Sequence, residues 1–278
     1  MPSSIFRIGG ERSVWRLGFG AMRLPTEPAP ARDASIAVAR RAVDLGITLI
    51  DTAHMYGWGA NEELLAEALH PYPDDLLIAT KVGIARTSRL DEVAINGQPD
   101  FLRRQVEQGL RRLRVERLEL LQMHRIDPTV PLADQLGALR QLQVDGKIGQ
   151  IGLSEVTLAE LDEARQIIDV ASVQNHYSLL DREYETVLEA CDAAGIAFLP
   201  WRPVADAASG ATAEIAAVAA ELDATAAQVA LAWLLDRSPV VLPIPGTATI
   251  DHLEENAAAA TYRLSADQRQ RLDRIPTQ

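Results

Sequence analysis

The chain has 278 residues, of which 47% are hydrophobic and 24% charged, so it is long enough for a large core and its composition excludes general disorder. A net charge of -12 at pH 7 disfavours nucleic-acid binding, because an acidic surface repels phosphate backbones. Cys191 is the only cysteine, and no apolar stretch reaches the roughly 18 residues that a membrane span requires. We therefore expect a cytoplasmic protein without intrachain disulfides and without nucleic-acid or membrane partners.

The chain begins with a predicted β-hairpin over residues 5–17, after which strand and helix patterns alternate. The predicted strands are 17–19, 49–50, 76–80, 118–123, 148–153, 170–173, 196–199 and 240–244. The predicted helices are 33–45, 61–69, 101–113, 132–144, 158–168, 181–194, 211–222, 226–235, 250–260 and 265–272. Eight strands that are each followed by helix predict a single (β/α)8 TIM barrel over residues 1–278, capped by the N-terminal hairpin. The longest irregular stretch, 83–98, predicts one long flap.

Four polar side chains stand at the ends of neighbouring predicted strands. Asp51 follows the second strand, with Tyr56 five residues later, Lys81 follows the third strand, and His124 follows the fourth. The carboxyl ends of barrel strands meet at one rim, where barrel enzymes build their active sites. Tyrosine has an ordinary pKa near 10, which a neighbouring ammonium group such as that of Lys81 lowers. The four residues therefore predict a proton-donating site suited to carbonyl reduction, with the hydride supplied by a nicotinamide.

Each of these residues alone has an ordinary structural explanation, and only their joint placement carries the prediction. Gly18 and Gly20 do not form a dinucleotide-binding fingerprint, since Arg23 stands where the third glycine belongs. The sequence has no His-x-His pair and no cysteine cluster, so we expect no metal site. His54 and His176 are interpreted as structural histidines near the rim.

Motifs spread over nearly the whole chain resemble those of the aldo-keto reductase family. The matching stretches are Leu17-Gly-Phe-Gly20, Asp51-Thr-Ala-x-x-Tyr56-Gly57, Glu62-Glu-Leu-Leu-Ala-Glu-Ala-Leu69, Ala79-Thr-Lys81, Arg111-Arg-Leu113, His124-x-x-Asp127, Gly146-Lys-Ile-x-x-Ile-Gly-Leu-Ser154, Val173-Gln-Asn175-x-Tyr177-Ser-Leu-Leu180, Ile244-Pro-Gly-Thr247 and Leu253-Glu-Glu-Asn256. The chain is most similar to the short bacterial branch with an Ile-Pro-Gly-Thr closing motif, which includes enzymes that interconvert pyridoxal and pyridoxine. The resemblance implies an oxidoreductase that reduces an aldehyde or ketone with NADPH.

The resemblance also implies roles for individual residues. Tyr56 looks like the general acid, tuned by Lys81 and Asp51, and His124 like the group that orients the substrate. The implied cofactor contacts are Gly20, Ala21 and Met22 near the ribose, Ser154, Glu155 and Gln174 at the carboxamide, Trp201 as the plate for the nicotinamide ring, and Thr247, Glu255 and Asn256 at the 2'-phosphate and adenine. The expected set is completed by Asp51, Arg202, Pro203, Pro245, Gly246 and His252.

Three departures from the family pattern bear on the cofactor. Many members have Asn where this chain has Glu155, Lys where it has Gly246, and Arg where it has His252. Two fixed positive charges near the 2'-phosphate are therefore missing, so we expect that phosphate to be held less tightly than in those members. Arg202 or backbone donors at the following helix N-terminus could compensate. NADPH is the expected cofactor, and NADH is an alternative.

Two other functions compete with carbonyl reduction. One is a cofactor-sensing binding subunit, since some barrels of this family resemble redox-reporting partners of membrane channels, although the intact set of four residues argues against it. The other is a metal-dependent barrel hydrolase, in which Lys81 would repel the metal. We expect a monomer that acts on a small-molecule carbonyl, with pyridoxal, aromatic aldehydes and sugar-derived carbonyls all open. The predicted pocket rim comprises Met22, Arg23, Met55, Trp58, Arg125 and Trp201.

Overall fold

The computed structural model describes residues 4–87, 92–204 and 213–277. The strands of this part of the chain are β1 (Ile5–Ile8), β2 (Arg12–Trp15), β3 (Phe19–Gly20), β4 (Leu49–Asp51), β5 (Leu77–Val82), β6 (Ile84–Arg86), β7 (Val93–Ile95), β8 (Leu118–Met123), β9 (Ile148–Ser154), β10 (Val170–Gln174) and β11 (Ala197–Phe198). In the described part of the chain the main sheet is parallel and has the strand order β11-β10-β9-β8-β5-β4-β3. This curled order confirms the predicted barrel.

Residues 240–245 close the barrel between its two outer strands. The Leu242 N–H donates to the Phe198 carbonyl of β11 at 2.8 Å, and the Gly20 N–H of β3 donates to the Pro245 carbonyl at 3.1 Å. Pro243 and Pro245 lack an N–H, so this segment cannot form a continuous ladder. The predicted eighth strand is therefore present as a bridging segment that lacks regular strand pairing.

Helices surround the sheet on its outer face. They are α1 (Ala29–Asp44), α2 (Ala60–Leu69), α3 (Pro99–Leu113), α4 (Leu132–Val144), α5 (Leu158–Ala164), α6 (Glu185–Ala194), α7 (Ala213–Leu222), α8 (Ala226–Arg237), α9 (Ile250–Ala258) and α10 (Ala266–Asp273). The helix predicted from residue 181 begins only at Glu185, because Ser178 and Asp181 accept nearby backbone N–H groups and hold this segment in turns. Residues 211 and 212 of the seventh predicted helix lie outside the described residues.

The N-terminal hairpin fills one end of the barrel, as predicted. Strands β1 and β2 pair from Ile5 opposite Trp15 to Ile8 opposite Arg12. Ile8 and Val14 are fully buried and belong to the interior cluster of the barrel, together with Leu49, Leu77, Ala79, Leu120, Ala171, Ala197, Leu199, Leu242 and Ile244. The apolar side chains of this cluster exclude water from the base of the barrel, which leaves the opposite end for a site.

The stretch 83–98 was predicted to be irregular, and this prediction is partly wrong. Strands β6 and β7 pair there as an antiparallel hairpin, with Ile84 opposite Ile95 and Arg86 opposite Val93. Residues 88–91, between these strands in the sequence, lie outside the described residues. Among the residues described, no single helix is long and apolar enough to cross a membrane, although α7 and α8 meet that test of length and composition together as a pair bent by 89°.

Candidate active site

Adjacent strands bring Asp51 and Lys81 into direct contact at the carboxyl end of the sheet. Asp51 ends β4, and Lys81 lies near the end of its neighbour β5. The Lys81 Nζ is 2.6 Å from the Asp51 Oδ2 and donates to the Thr52 carbonyl at 2.9 Å. The exposed fractions of the two side chains are 0% and 4%, so water screens their charges little. Burial alone would lower the pKa of Lys81, but Asp51 and Tyr56 outweigh burial and raise it.

Tyr56 lies above this ion pair in the turn that follows β4. The Lys81 Nζ is 5.2 Å from the centroid of the tyrosine ring. Burial raises the pKa of Tyr56, the charge of Lys81 lowers it, and the charge of Asp51 raises it, and the net direction is upward. The lowering by Lys81 that the sequence predicted is present, but burial outweighs it in this structure. The phenol therefore keeps its proton at neutral pH.

His124 completes the group of four at the end of β8. Its ring stands edge-on to that of Tyr56, with 6.3 Å between centroids and an interplanar angle of 88°. Burial first, then the charges of Lys81 and Arg125, lower the pKa of His124 to about 2, so the imidazole is neutral. Its Nδ1 is buried and has no hydrogen-bond partner among the described residues. Such an unsatisfied group next to a cavity favours binding of a polar ligand atom.

A row of glutamines supports the ion pair from the side. The Gln174 Nε2 donates to the Asp51 Oδ1 at 2.9 Å and to the Gln122 Oε1 at 3.0 Å. The Gln122 Nε2 in turn donates to the Ser172 hydroxyl at 3.3 Å. Gln122 was not identified from the sequence, although a glutamine inside the apolar run of β8 was the signal for a buried polar partner. These bonds fix the Asp51 carboxylate that holds Lys81.

The turn that carries Tyr56 is packed on a second polar network. Gly57, Trp58 and Gly59 have positive φ angles of 59°, 55° and 102°. Glycine is required at position 59, because L side chains rarely adopt a φ of 102°, and a Cβ there would also displace the Arg112 guanidinium, whose Cζ would lie 2.2 Å away. Arg112 Nη1 is 2.7 Å from the His54 Nδ1 and 3.2 Å from a Glu62 carboxylate oxygen. Burial and then the charge of Arg112 lower the pKa of His54 to about 4, which agrees with its predicted structural role.

An open cavity of about 940 Å³ extends from Tyr56 and His124 along the rim. Fifteen of the predicted site residues line it: Gly20, Met22, Asp51, Tyr56, His124, Ser154, Gln174, Trp201, Arg202, Pro203, Gly246, Thr247, His252, Glu255 and Asn256. Ala21, Lys81, Glu155 and Pro245 do not line it. Trp58, a predicted rim residue, does not line the cavity either. The guanidinium carbon of Arg86 lies 5.8 Å from the centroid of the Trp58 ring. Lining residues that sequence reasoning missed include Val204, Ala227, Ile244, Ala248 and Thr249.

The comparisons with known proteins agree with this geometry. Residues 16–276 match the Aldo/keto reductase family. The chain belongs to the aldo/keto reductase family. It is therefore an oxidoreductase of carbonyl compounds, with the barrel fold of that family.

Three relatives illustrate the likeness. The chain is 46% identical to an uncharacterized oxidoreductase of Schizosaccharomyces pombe, over 95% of this chain and 87% of that protein. It is 38% identical to the pyridoxine 4-dehydrogenase of Escherichia coli, over 99% of both chains. A crystal structure of an aldo-keto reductase from Klebsiella pneumoniae in complex with NADPH has a TM-score of 0.87 and 29% identity, and the match covers 100% of this chain and 97% of that one.

Glu155, where many aldo-keto reductases have Asn, does not face the cavity. Its φ is 53°, and its Oε1 accepts hydrogen bonds from the Trp201 Nε1 at 2.5 Å and from the His176 backbone N–H at 2.7 Å. The rings of His176 and Trp201 lie 4.6 Å apart between centroids. The Glu155 carboxylate is committed to holding Trp201 in place, and its predicted contact with the cofactor stays a prediction.

The other end of the cavity is built from the N-terminus of α9 and the loop before it. The Thr249 hydroxyl accepts the His252 N–H at 3.4 Å and caps the helix, while the Thr247 hydroxyl accepts the Thr249 N–H at 3.2 Å. The side chain of His252 is exposed, and Asn256 is buried. A helix N-terminus with hydroxyl side chains suits a phosphate group, so this end fits the phosphate of a dinucleotide.

Proposed function

We propose that this chain is an NADPH-dependent reductase of aldehydes or ketones in which Tyr56 is the general acid. The observation that carries the proposal is the meeting of Tyr56, the buried Lys81–Asp51 pair and the neutral His124 at the inner end of one cavity. Lys81 and Asp51 are held by hydrogen bonds within the barrel, so this part of the site is assembled before a substrate arrives. Preorganised charges and donors of this kind contribute much of the rate of an enzyme.

The cavity has groups suited to each part of NADPH, the cofactor bound in the Klebsiella pneumoniae structure. Trp201 offers a flat face for the nicotinamide ring, and Ser154 and Gln174 offer polar groups for its carboxamide. Thr247, Asn256 and the N-terminus of α9 are available for the adenine end and its phosphate. When bound, this cofactor supplies the hydride that the carbonyl carbon receives.

Proton transfer depends on the residues of this chain. The Tyr56 hydroxyl gives its proton to the carbonyl oxygen as negative charge develops there, and solvent later returns a proton to the phenolate. The Lys81 ammonium lies close enough to stabilise that phenolate, and Asp51 keeps Lys81 in place and charged. His124 is neutral, so it can donate an N–H to the same oxygen without adding a competing positive charge.

The similarity to the Escherichia coli pyridoxine 4-dehydrogenase makes pyridoxal the first substrate to examine. The test is NADPH oxidation with pyridoxal and a panel of aromatic aldehydes, in wild type and Tyr56→Phe. Removal of a general acid is expected to lower kcat by about 10²- to 10⁴-fold. The matched control is Tyr262→Phe, because the Tyr262 hydroxyl is an exposed group that donates to the Asp223 carbonyl outside the cavity.

The outcomes separate the proposal from its competitor. Turnover that collapses in Tyr56→Phe and persists in Tyr262→Phe supports the proposal. Equal rates in all three proteins would show that Tyr56 is not the acid. Tight NADPH binding without turnover of any aldehyde would favour a cofactor-sensing subunit instead.

A further inference from the structure

One arginine lies beside the catalytic group of four and has no role in the proposed reaction. Arg125 follows His124 directly, lines the cavity and is partly buried. Its Nη1 donates to the carbonyl of His124 at 2.6 Å and to the Ser154 hydroxyl at 3.3 Å. These two neutral acceptors occupy one end of the guanidinium, which carries five N–H donors in a planar fork. Most of its hydrogen-bonding capacity therefore remains available to a ligand.

No carboxylate of the described residues neutralises Arg125 by forming an ion pair with it. The nearby carboxylates are committed to other partners. Asp51 is bound by Lys81 and Gln174, Glu155 holds Trp201, and Asp127 accepts the Gly97 N–H and both donors of Thr129. A partly desolvated cation without a counter-charge is costly, and an anionic ligand offsets that cost.

Arg125 also leaves the catalytic end of the cavity with a net positive charge, because Lys81 and Asp51 neutralise each other. Arg23 lines the cavity as well, close to Gly246, and neither arginine forms an ion pair within the described part of the chain. Glu255 lies at the far end and accepts a hydrogen bond from Thr225. A positive cavity in a protein of net charge -12 is a local exception that attracts anions. The positive charge of Arg125 also acts on two residues of the catalytic group, since it lowers the pKa of both Tyr56 and His124.

We propose that Arg125 is a specificity-determining residue, and that the substrate is a carbonyl compound that also carries a carboxylate or phosphate group. This inference rests on the proposed function. His124 and Arg125 line the same cavity, so one ligand can place its carbonyl oxygen at His124 and its anionic group at Arg125. The guanidinium matches the two oxygens of a carboxylate or a phosphate in a bidentate pair, which a lysine cannot reproduce.

The test compares aldehydes that differ by one anionic group. The carboxylate arm uses 4-carboxybenzaldehyde against 4-methylbenzaldehyde, and the phosphate arm uses pyridoxal 5'-phosphate against pyridoxal. The measured quantity is kcat/KM for the anionic aldehyde divided by kcat/KM for the matching neutral aldehyde. In wild type at least one arm should give a ratio well above one, and Arg125→Met should lower it by about 10- to 100-fold, as expected for loss of a hydrogen-bonded charge pair.

Two further variants test whether the side chain of Arg125 itself sets this ratio. Arg125→Lys keeps the charge and should recover part of the ratio, and it replaces Arg125→Met if that variant fails to fold. Arg104→Met is the control, because this guanidinium stacks on Phe101 of α3 outside the cavity, and its ratio should equal that of wild type. Competitive inhibition by benzoate, but not by benzamide, gives a second readout, and it should weaken in Arg125→Met.

The result that overturns the inference is distinct from failure of the proposed function. Neutral and anionic aldehydes that react equally well in wild type, or a ratio that Arg125→Met leaves unchanged, would refute the anion site while Tyr56-dependent reduction stands. Aldehyde reduction that does not depend on Tyr56 would refute the proposed function, and the inference would fall with it.

Discussion

The two ends of the cavity are built in different ways. At the catalytic end, Lys81 and Asp51 are almost fully buried, come from adjacent strands, and neutralise each other. At the far end, His252 is exposed, and Gly246 adds no side chain to the loop before α9. The barrel therefore fixes the proposed proton-transfer groups, whereas a short loop and one helix terminus form the proposed binding site for the far end of the cofactor. Substitutions at the catalytic end should change the free energy of unfolding and the rate of reduction. Substitutions at the far end should change the Kd of the cofactor.

The largest expected effect is a loss of stability in Lys81→Met, because this substitution leaves the Asp51 carboxylate buried without its counter-charge. Breaking a buried pair in this way costs about 3–5 kcal/mol in the free energy of unfolding. The control is the only other lysine, Lys147, whose pair with Glu107 has side chains 40% and 39% exposed. Lys147→Met should cost less than about 1 kcal/mol, because water screens such a pair. Denaturant unfolding followed by circular dichroism measures both.

A double variant sharpens this test. Lys81→Met with Asp51→Asn removes the unpaired charge, so it should be more stable than Lys81→Met alone. If Lys81→Met were no more destabilising than Lys147→Met, the claim that the catalytic end is a buried, mutually dependent pair would be wrong.

A smaller effect is expected at the far end from His252→Arg. The side chain is exposed and lines the cavity beside the N-terminus of α9, so a fixed positive charge there should tighten NADPH binding. An exposed pair contributes about 1 kcal/mol, or roughly a fivefold lower Kd. NADH lacks the 2'-phosphate and is the matched control, with an unchanged Kd. Fluorescence titration of both cofactors is the measurement, and equal changes for the two would place the phosphate elsewhere.

The smallest expected effect is that of pH on kcat. The pKa of Tyr56 is raised above its ordinary value of 10 and that of His124 is lowered to about 2, so neither group changes its proton between mildly acidic and mildly alkaline pH. The kcat for reduction of a neutral aldehyde should therefore vary less than about twofold between about pH 5.5 and 9. A transition in kcat near neutral pH would show that His124 titrates in the working enzyme.

The catalytic end was predictable from the sequence because its residues end apolar runs. Asp51 and Lys81 lie at or near the ends of buried strands and His124 follows one, and parallel strands must place their carboxyl ends at one rim. The alternation of elements and the N-terminal hairpin were predictable for the same reason, since both rest on local hydrophobic patterns.

Other features depend on tertiary contacts that no local pattern encodes. The hydrogen bond that the Glu155 carboxylate accepts from Trp201 joins residues 46 positions apart, and no local pattern indicated it. Lys81 was predicted to lower the pKa of Tyr56, and it does, but burial by the rest of the barrel outweighs that effect and the pKa rises. The barrel closure by residues 240–245 lacks regular pairing because two prolines interrupt it.

A single-turnover measurement on Tyr56→Phe tests the central claim most directly. The protein is first saturated with NADPH, whose binding is measured separately by fluorescence, and the loss of NADPH absorbance is then followed after mixing with a reactive aldehyde. The account predicts NADPH affinity equal to that of wild type and a single-turnover rate lower by about 10²- to 10⁴-fold. A single-turnover rate equal to that of wild type, at the same NADPH affinity, would contradict the assignment of Tyr56 as the proton donor.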